Sequence, residues 1–130
     1  MKLFDSKTLK NEAVIHPYED NPGYEALINT FFYSDDKKAI AGYWEAPTGW
    51  FTSEIEEQSE LNFLIEGEID IVSLDDGSKR ISAKKGDIFL IEKGDRIKWV
   101  INKPVKTIYF IYPSPAQLTD FFKKLQNECG

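Results

Sequence analysis

Histidine is almost missing from this chain: His16 is the only one in 130 residues. A zinc site of three imidazoles is excluded, whatever the fold. Cysteine is equally scarce. Cys129 stands alone beside the C-terminus, so no intrachain disulfide can form, and without a nearby histidine it makes no case as a nucleophile. No apolar run approaches ~18 residues, which removes a transmembrane helix. Basic charge is also in deficit, with 16 Lys and Arg against 22 Asp and Glu and a formal charge of -6. Phosphate backbones need a cationic footprint, so neither a nucleic-acid partner nor a membrane is expected. The short basic steps Lys79-Arg80 and Lys84-Lys85 read as solvated strand edge. Asp5 falls where a signal peptide would carry its apolar core, and a cytoplasmic protein is expected.

What the chain does contain suits one domain over residues 1–130. Hydrophobic residues make up 42% and charged residues 29%, and folding a chain of this length buries roughly two thirds of its extended surface. Turn signals such as Asn21-Pro22-Gly23, Pro47-Thr48-Gly49, Lys85-Gly86-Asp87 and Lys93-Gly94-Asp95 cut the sequence into short pieces. The pieces Ala26–Tyr33, Ala39–Glu45, Phe51–Glu56, Leu61–Leu74, Arg80–Ser82, Ile88–Ile91, Ile97–Ile101 and Thr107–Tyr112 are rich in β-branched and aromatic residues. Such a series predicts an all-β sandwich or barrel over 26–112. Residues 73–78 read as a hairpin connection with Gly77 at positive φ. An arm over 1–25 precedes the barrel and packs on it or reaches a second subunit. A helix over 114–127 follows, with Ser114 as its cap, Pro115 at the first position and Gln117 completing a capping box. Leu118, Phe121, Phe122 and Leu125 recur at helical spacing and predict one face laid against the barrel.

Several marks fall in order along the middle of the chain. They are Gly42-Tyr43-Trp44-Glu45, Gly49-Trp50-Phe51, Glu60 through Glu68 with Gly67, Asp76-Gly77, Gly86-Asp87-Ile88-Phe89, Gly94, Trp99 and Lys106 through Tyr109. Over residues 40 to 112 the chain resembles a cupin, in particular the small ureidoglycine aminohydrolase and ethanolamine-utilisation cupins. The resemblance implies a cupin-type jelly-roll barrel, the double-stranded β-helix, with a C-terminal helix and a central pocket. Cupins of this kind place two histidines one residue apart, then a glutamate, then a glycine; Glu60 and Gly67 match the last two. The histidine places fall on Glu54 and Glu56, or on Ser53 and Ile55 if the loop is one residue longer, and the third falls on Ile97. The usual imidazole ligand set is therefore not available.

Period-two spacing puts Glu54 and Glu56 on one strand face, and Glu60, Asn62 and Leu64 on one face of the next strand. The family pattern turns Glu60 inwards. Either Glu54, Glu56 and Glu60 gather as an oxygen site for a divalent metal such as Mn, or Glu60 works alone as a carboxyl acid or base. A third reading leaves Glu54 and Glu56 on a solvated rim. The ligand-binding set read from the sequence is Glu60, Asn62, Trp99, Phe89, Trp50 and Tyr43, with Glu60 also the catalytic candidate. Trp44 and Tyr109 are further aromatic candidates; His16 packs on a partner, lines the pocket's mouth or faces water, with a surface position the plain expectation.

The leading expectation is a small-molecule-binding cupin without the standard metal and with no cofactor. A metal-assisted hydrolase or isomerase acting on a small polar metabolite is the enzymatic alternative, and a dimeric structural or regulatory protein is the non-catalytic one. Self-association as a homodimer is expected through the face carrying Leu61, Phe63 and Ile65.

Overall fold

Alternation of apolar and polar residues at period two produces eight strands, as resolved in a computed structural model. It describes the backbone of residues 1–129 and the side chains of residues 1–127; the Cys129 side chain lies outside the described residues. In chain order the elements are α1 (Ser6–Asn11), β1 (Val14–Pro17), β2 (Glu25–Tyr33), β3 (Ile40–Ala46), β4 (Gly49–Glu54), β5 (Ser59–Ser73), β6 (Arg80–Lys84), β7 (Ile88–Ile91), β8 (Arg96–Tyr112) and α2 (Ala116–Cys129). The sheet runs β1-β2-β3-β8-β5-β6, with β4 on β8 and β7 on β5. All pairings are antiparallel, as the expected jelly-roll barrel requires.

Two long strands close the barrel. β8 pairs with β4 over Arg96–Ile101 and with β3 over Val105–Ile111. β5 pairs with β7 over Glu60–Phe63 and with β6 over Glu68–Val72. Each strand therefore serves both layers and must bend between them. The bend falls where the β5–β8 register shifts, between Leu64 and Ile69. Gly67 sits there at φ +98, and a Cβ on it would run into the Pro104 carbonyl and Val105. The sequence reading split β8 into two strands around this place. Pro104 lacks an amide proton, but it lies where the ladder is already broken, so the strand passes through unharmed.

Ile40, Leu64, Ile69, Ile91, Ile101 and Val105 are fully buried between the layers. Helix α2 lies against them through Phe122, with Leu118 and Leu125 at its margin. The helix is where periodicity placed it, but its start differs. Ser114 Oγ bonds Thr119 Oγ1 at 2.8 Å instead of a helix amide, while the amides of Leu118 and Thr119 bond the Pro115 carbonyl. Gly77 likewise takes no positive φ. Ser73 Oγ and the Asp76 carboxylate accept the turn amides and hold that connection instead.

The arm is more structured than its polarity suggested. Asp5 caps α1 by accepting the Thr8 amide at 2.9 Å. β1 extends the sheet with Val14 opposite Ile28 and His16 opposite Ala26. That pairing carries the arm over one end of the barrel.

Candidate functional site

Strand parity decides what faces the barrel interior. On β5, Glu60, Asn62 and Leu64 point in while Leu61 and Phe63 point out. On β4, Phe51 and Ser53 point in, opposite Trp99 and Ile97 of β8. The enclosed space is a cavity of about 270 Å³, open at one end. Its wall includes Glu60, Asn62, Trp99, Trp44, Tyr109 and Ser53, and its mouth is flanked by His16 and Phe121.

Aromatic rings form a continuous stack along this wall. His16 stacks on Tyr18 at 4.3 Å between centroids, Tyr18 on Phe51 at 4.2 Å, and Phe51 on Trp99 at 5.3 Å. Phe121 of α2 meets the His16 ring edge-on at 5.4 Å. The polar tips are mostly committed. Trp99 Nε1 donates to Ser53 Oγ at 2.8 Å, Trp44 Nε1 donates to the Tyr18 hydroxyl at 3.2 Å, and the hydroxyls of Tyr109 and Thr30 share a bond of 2.5 Å. Gly42 makes room for Tyr109, because a Cβ there would overlap the phenol.

Two groups remain under-satisfied. Glu60 is half-buried and receives one hydrogen bond, from Gln58 Nε2 at 3.1 Å. Burial raises its carboxyl above the usual range, and the Gln58 bond opposes that only in part. Asn62 is 4% exposed, and its Nδ2 is enclosed without any partner. Asn62 stands on the wall of a mostly apolar cavity, and an orphaned amide there calls for a partner that the cavity could admit. Burial also lowers the His16 pKa and raises those of Tyr18 and Tyr109, so the ring stands neutral and the phenols keep their protons near neutral pH.

The candidates read from sequence are therefore sorted. Glu60, Asn62 and Trp99 come together on the cavity wall. Phe89 is buried behind that wall, edge-on to Trp99 at 5.9 Å. Trp50 points outwards from β4, 36% exposed, with Lys98 Nζ above its ring at 4.8 Å. Tyr43 is buried on the other face of β3 from Trp44, where burial and the neighbouring Glu45 carboxylate raise its pKa. The three carboxylates do not gather. Glu54 stands on the rim and pairs with Arg96 at 3.2 Å, and Glu56 is solvent-exposed. Among the described residues no three of His, Cys, Asp or Glu cluster as metal ligands.

The inward residues at the family's histidine places are Ser53, Ile55 and Ile97, so the register with the longer loop is the one adopted. Two aliphatic side chains and a hydroxyl already engaged by Trp99 do not fit a cupin metal centre. His16 corrects the surface expectation. Val14, His16 and Tyr18 share one parity, and that spacing, visible in the sequence, puts the imidazole at the cavity mouth. Gln58 carried no signal, since a loop brings it in, and Phe121, read as part of the helix face against the barrel, instead stands 42% exposed at the cavity mouth.

Comparison with known proteins agrees with this architecture. No curated protein matches the sequence. The EutQ protein of Clostridium difficile is 25% identical over 73% of this chain and 67% of its own, with a TM-score of 0.63. A protein assigned as ethanolamine utilization protein Q from Salmonella typhimurium LT2 superposes with a TM-score of 0.72 over 88% of both chains, at 19% identity. Ectoine synthase from P. lautus has the same fold, with a TM-score of 0.71 at 9% identity over 95% of this chain and 86% of its own. The family model described as ethanolamine utilisation protein EutQ matches residues 2–118, and with the cupin barrel, the inward Glu60 and the bend at Gly67 all in place, the chain belongs to that family.

Proposed function

We propose that this protein binds a small metabolite in the barrel cavity, using Glu60 and Asn62 for polar recognition and the ring stack for apolar contact. The observation that carries this is the orphaned Asn62 amide beside an open cavity of about 270 Å³. Ligand pockets usually span ~300–1,000 Å³, so the occupant is small. Its chemistry does not rely on an imidazole-bound metal, because the positions that would supply the imidazoles hold Ser53, Ile55 and Ile97. Fluorescence of Trp44 and Trp99 reports occupancy directly. Titration with amino acids, ureides, sugars, nucleotides and ethanolamine, which the family's name suggests, is expected to yield at least one saturable quench. The quench should be lost in Asn62→Leu. A panel without any saturable response, or a response unchanged in that variant, would end this reading.

Self-association is supported by a separate observation. Leu61, Phe63, Ile88, Leu90, Phe110 and Tyr112 each leave between 42% and 65% of their surface in solvent. Ladder register places Leu61 beside both Leu90 and Phe110, and Phe63 beside Ile88, so these side chains form one patch. At about half exposure the patch spans on the order of 600 Å², the top of the range for a monomer. A standard interface takes ~800 Å² from each partner. We propose a homodimer through this outer face. Sedimentation showing only monomer at low micromolar concentration would remove it.

A further inference from the structure

We infer that the barrel cavity selects a small amine or ammonium compound, with Glu60 as its counter-charge; this rests on the reading that the cavity is a ligand site. The first support is what the wall lacks. None of the described residues lining it is Lys or Arg, while the Glu60 carboxyl forms part of its wall. A half-buried carboxylate held by one neutral donor, Gln58, favours keeping its proton or meeting a cation. The described residues offer no cation there, so a cation that pairs with the ionised form would come from the ligand. An anionic ligand would meet Glu60 with no positive group to offset it.

The approach to the cavity carries the same sign. A shallow groove adjoins the mouth and shares Glu54, Gln58, Leu118 and Phe121 with it. Glu56 and Glu57 line that groove as well, and no described Lys or Arg does. Arg96 compensates Glu54 but reaches away, to Asp75 at 2.7 Å. Lys37 and Lys38 face a different groove, on the far side of Glu57. With an overall formal charge of -6, this acidic entrance raises the local concentration of cations.

The walls suit such a ligand. Tyr18, Trp44, Phe51 and Trp99 surround the same space, and aromatic rings attract ammonium groups through their quadrupoles. The enclosed Asn62 amide adds a polar contact for a hydroxyl or carbonyl on the ligand's other end. The titratable groups facing the cavity are His16 from β1, Tyr18 from the segment after it, Glu60 from β5 and Tyr109 from β8, with Glu54 of β4 at the rim; the described side chains of α2 contribute none. With the imidazole neutral and both phenols protonated, Glu60 is the group whose charge changes on binding.

Calorimetric titration of the full chain with choline, with its carbon isostere dimethylbutanol, with butylammonium and with acetate tests this. At about pH 8 the two cations are expected to bind at least tenfold tighter than the neutral isostere, and acetate not to bind. Glu60→Gln should erase the tenfold preference for the cations over dimethylbutanol. Should that variant not fold, the unmodified protein supplies a second reading: its preference for choline should shrink as pH falls and Glu60 takes up its proton. If dimethylbutanol or acetate binds as well as choline, or the preference ignores both pH and Glu60, the ligand class is wrong though the cavity still binds ligands. If no compound here or in the metabolite panel binds, the ligand-site reading falls with it.

Discussion

Asn29 and Asn62 are equally buried, each 4% exposed, but differ in setting: Asn62 lines the cavity, while Asn29 lies on the face of β2 turned away from it, beneath the two helices. Asn29 donates to the Leu9 carbonyl at 3.2 Å and accepts from Gln126 Nε2 at 3.2 Å. Asn62 Nδ2 has no partner. Leaving a buried donor unsatisfied costs roughly 1–3 kcal/mol, and replacing it with an apolar group removes that cost. Asn62→Leu is therefore expected to stabilise the ligand-free protein by about 1 kcal/mol or more, since the cavity beside it accommodates the bulkier side chain. Asn29→Leu strands the Leu9 carbonyl and the Gln126 amide, and should cost about 1–3 kcal/mol. For a domain of this size each kcal/mol moves Tm by roughly 4 °C. Urea unfolding of both variants, with m unchanged, measures the two values. If Asn62→Leu loses as much stability as Asn29→Leu, the amide is satisfied in the native protein and the cavity has no vacancy for a ligand to fill. Gain of stability together with loss of binding is the signature of a functional site held at a cost in stability.

Three further outcomes follow from the same geometry. Gly42→Ala puts a methyl group onto the Tyr109 ring and should cost about 1–3 kcal/mol in urea unfolding; a neutral result would mean that the phenol does not occupy that space. Because burial raises the Glu60 pKa, the folded state holds that proton more tightly than the unfolded chain. The resulting stabilisation is complete below the unfolded pKa and lost as pH rises through the folded one. Thermal midpoints of Glu60→Gln and the parent protein should therefore separate in the variant's favour as pH rises above the ordinary carboxylate range. Parallel curves would show a solvated carboxylate. Phe63→Lys combined with Leu90→Lys charges the centre of the outer patch and should halve the sedimenting mass, while an unchanged mass would place the interface elsewhere.

Much of the barrel was legible along the chain because short strands announce themselves locally. Ile88–Ile91 matched its strand to the residue, and Leu118, Phe122 and Leu125 marked the helix face that meets the core. Local signals failed where distant chain supplied the missing partner. The stretch between Ile101 and Thr107 read as a break between two strands, but the bend of β5 at Gly67 gives Pro104 a place without a required amide and β8 runs through. Ser114 looked like a cap until Thr119 took its hydroxyl. Trp50 and Tyr43 were aromatic residues in the right motifs but on the wrong parity, a distinction that composition does not contain.

Residue type and short-range periodicity determined the all-β class of fold and the want of all but one imidazole, while the inward Glu60 was what the cupin resemblance implied. Which glutamates enter the interior depended on the length of the turn before Glu60, because one residue more or less reverses every side chain on β4. The packing of β8 against β4 settled that register, turning Ser53 and Ile55 inwards and Glu54 outwards. His16 reached the mouth only because β1 pairs with β2 and α2 lies across the opening, contacts between segments far apart in the chain.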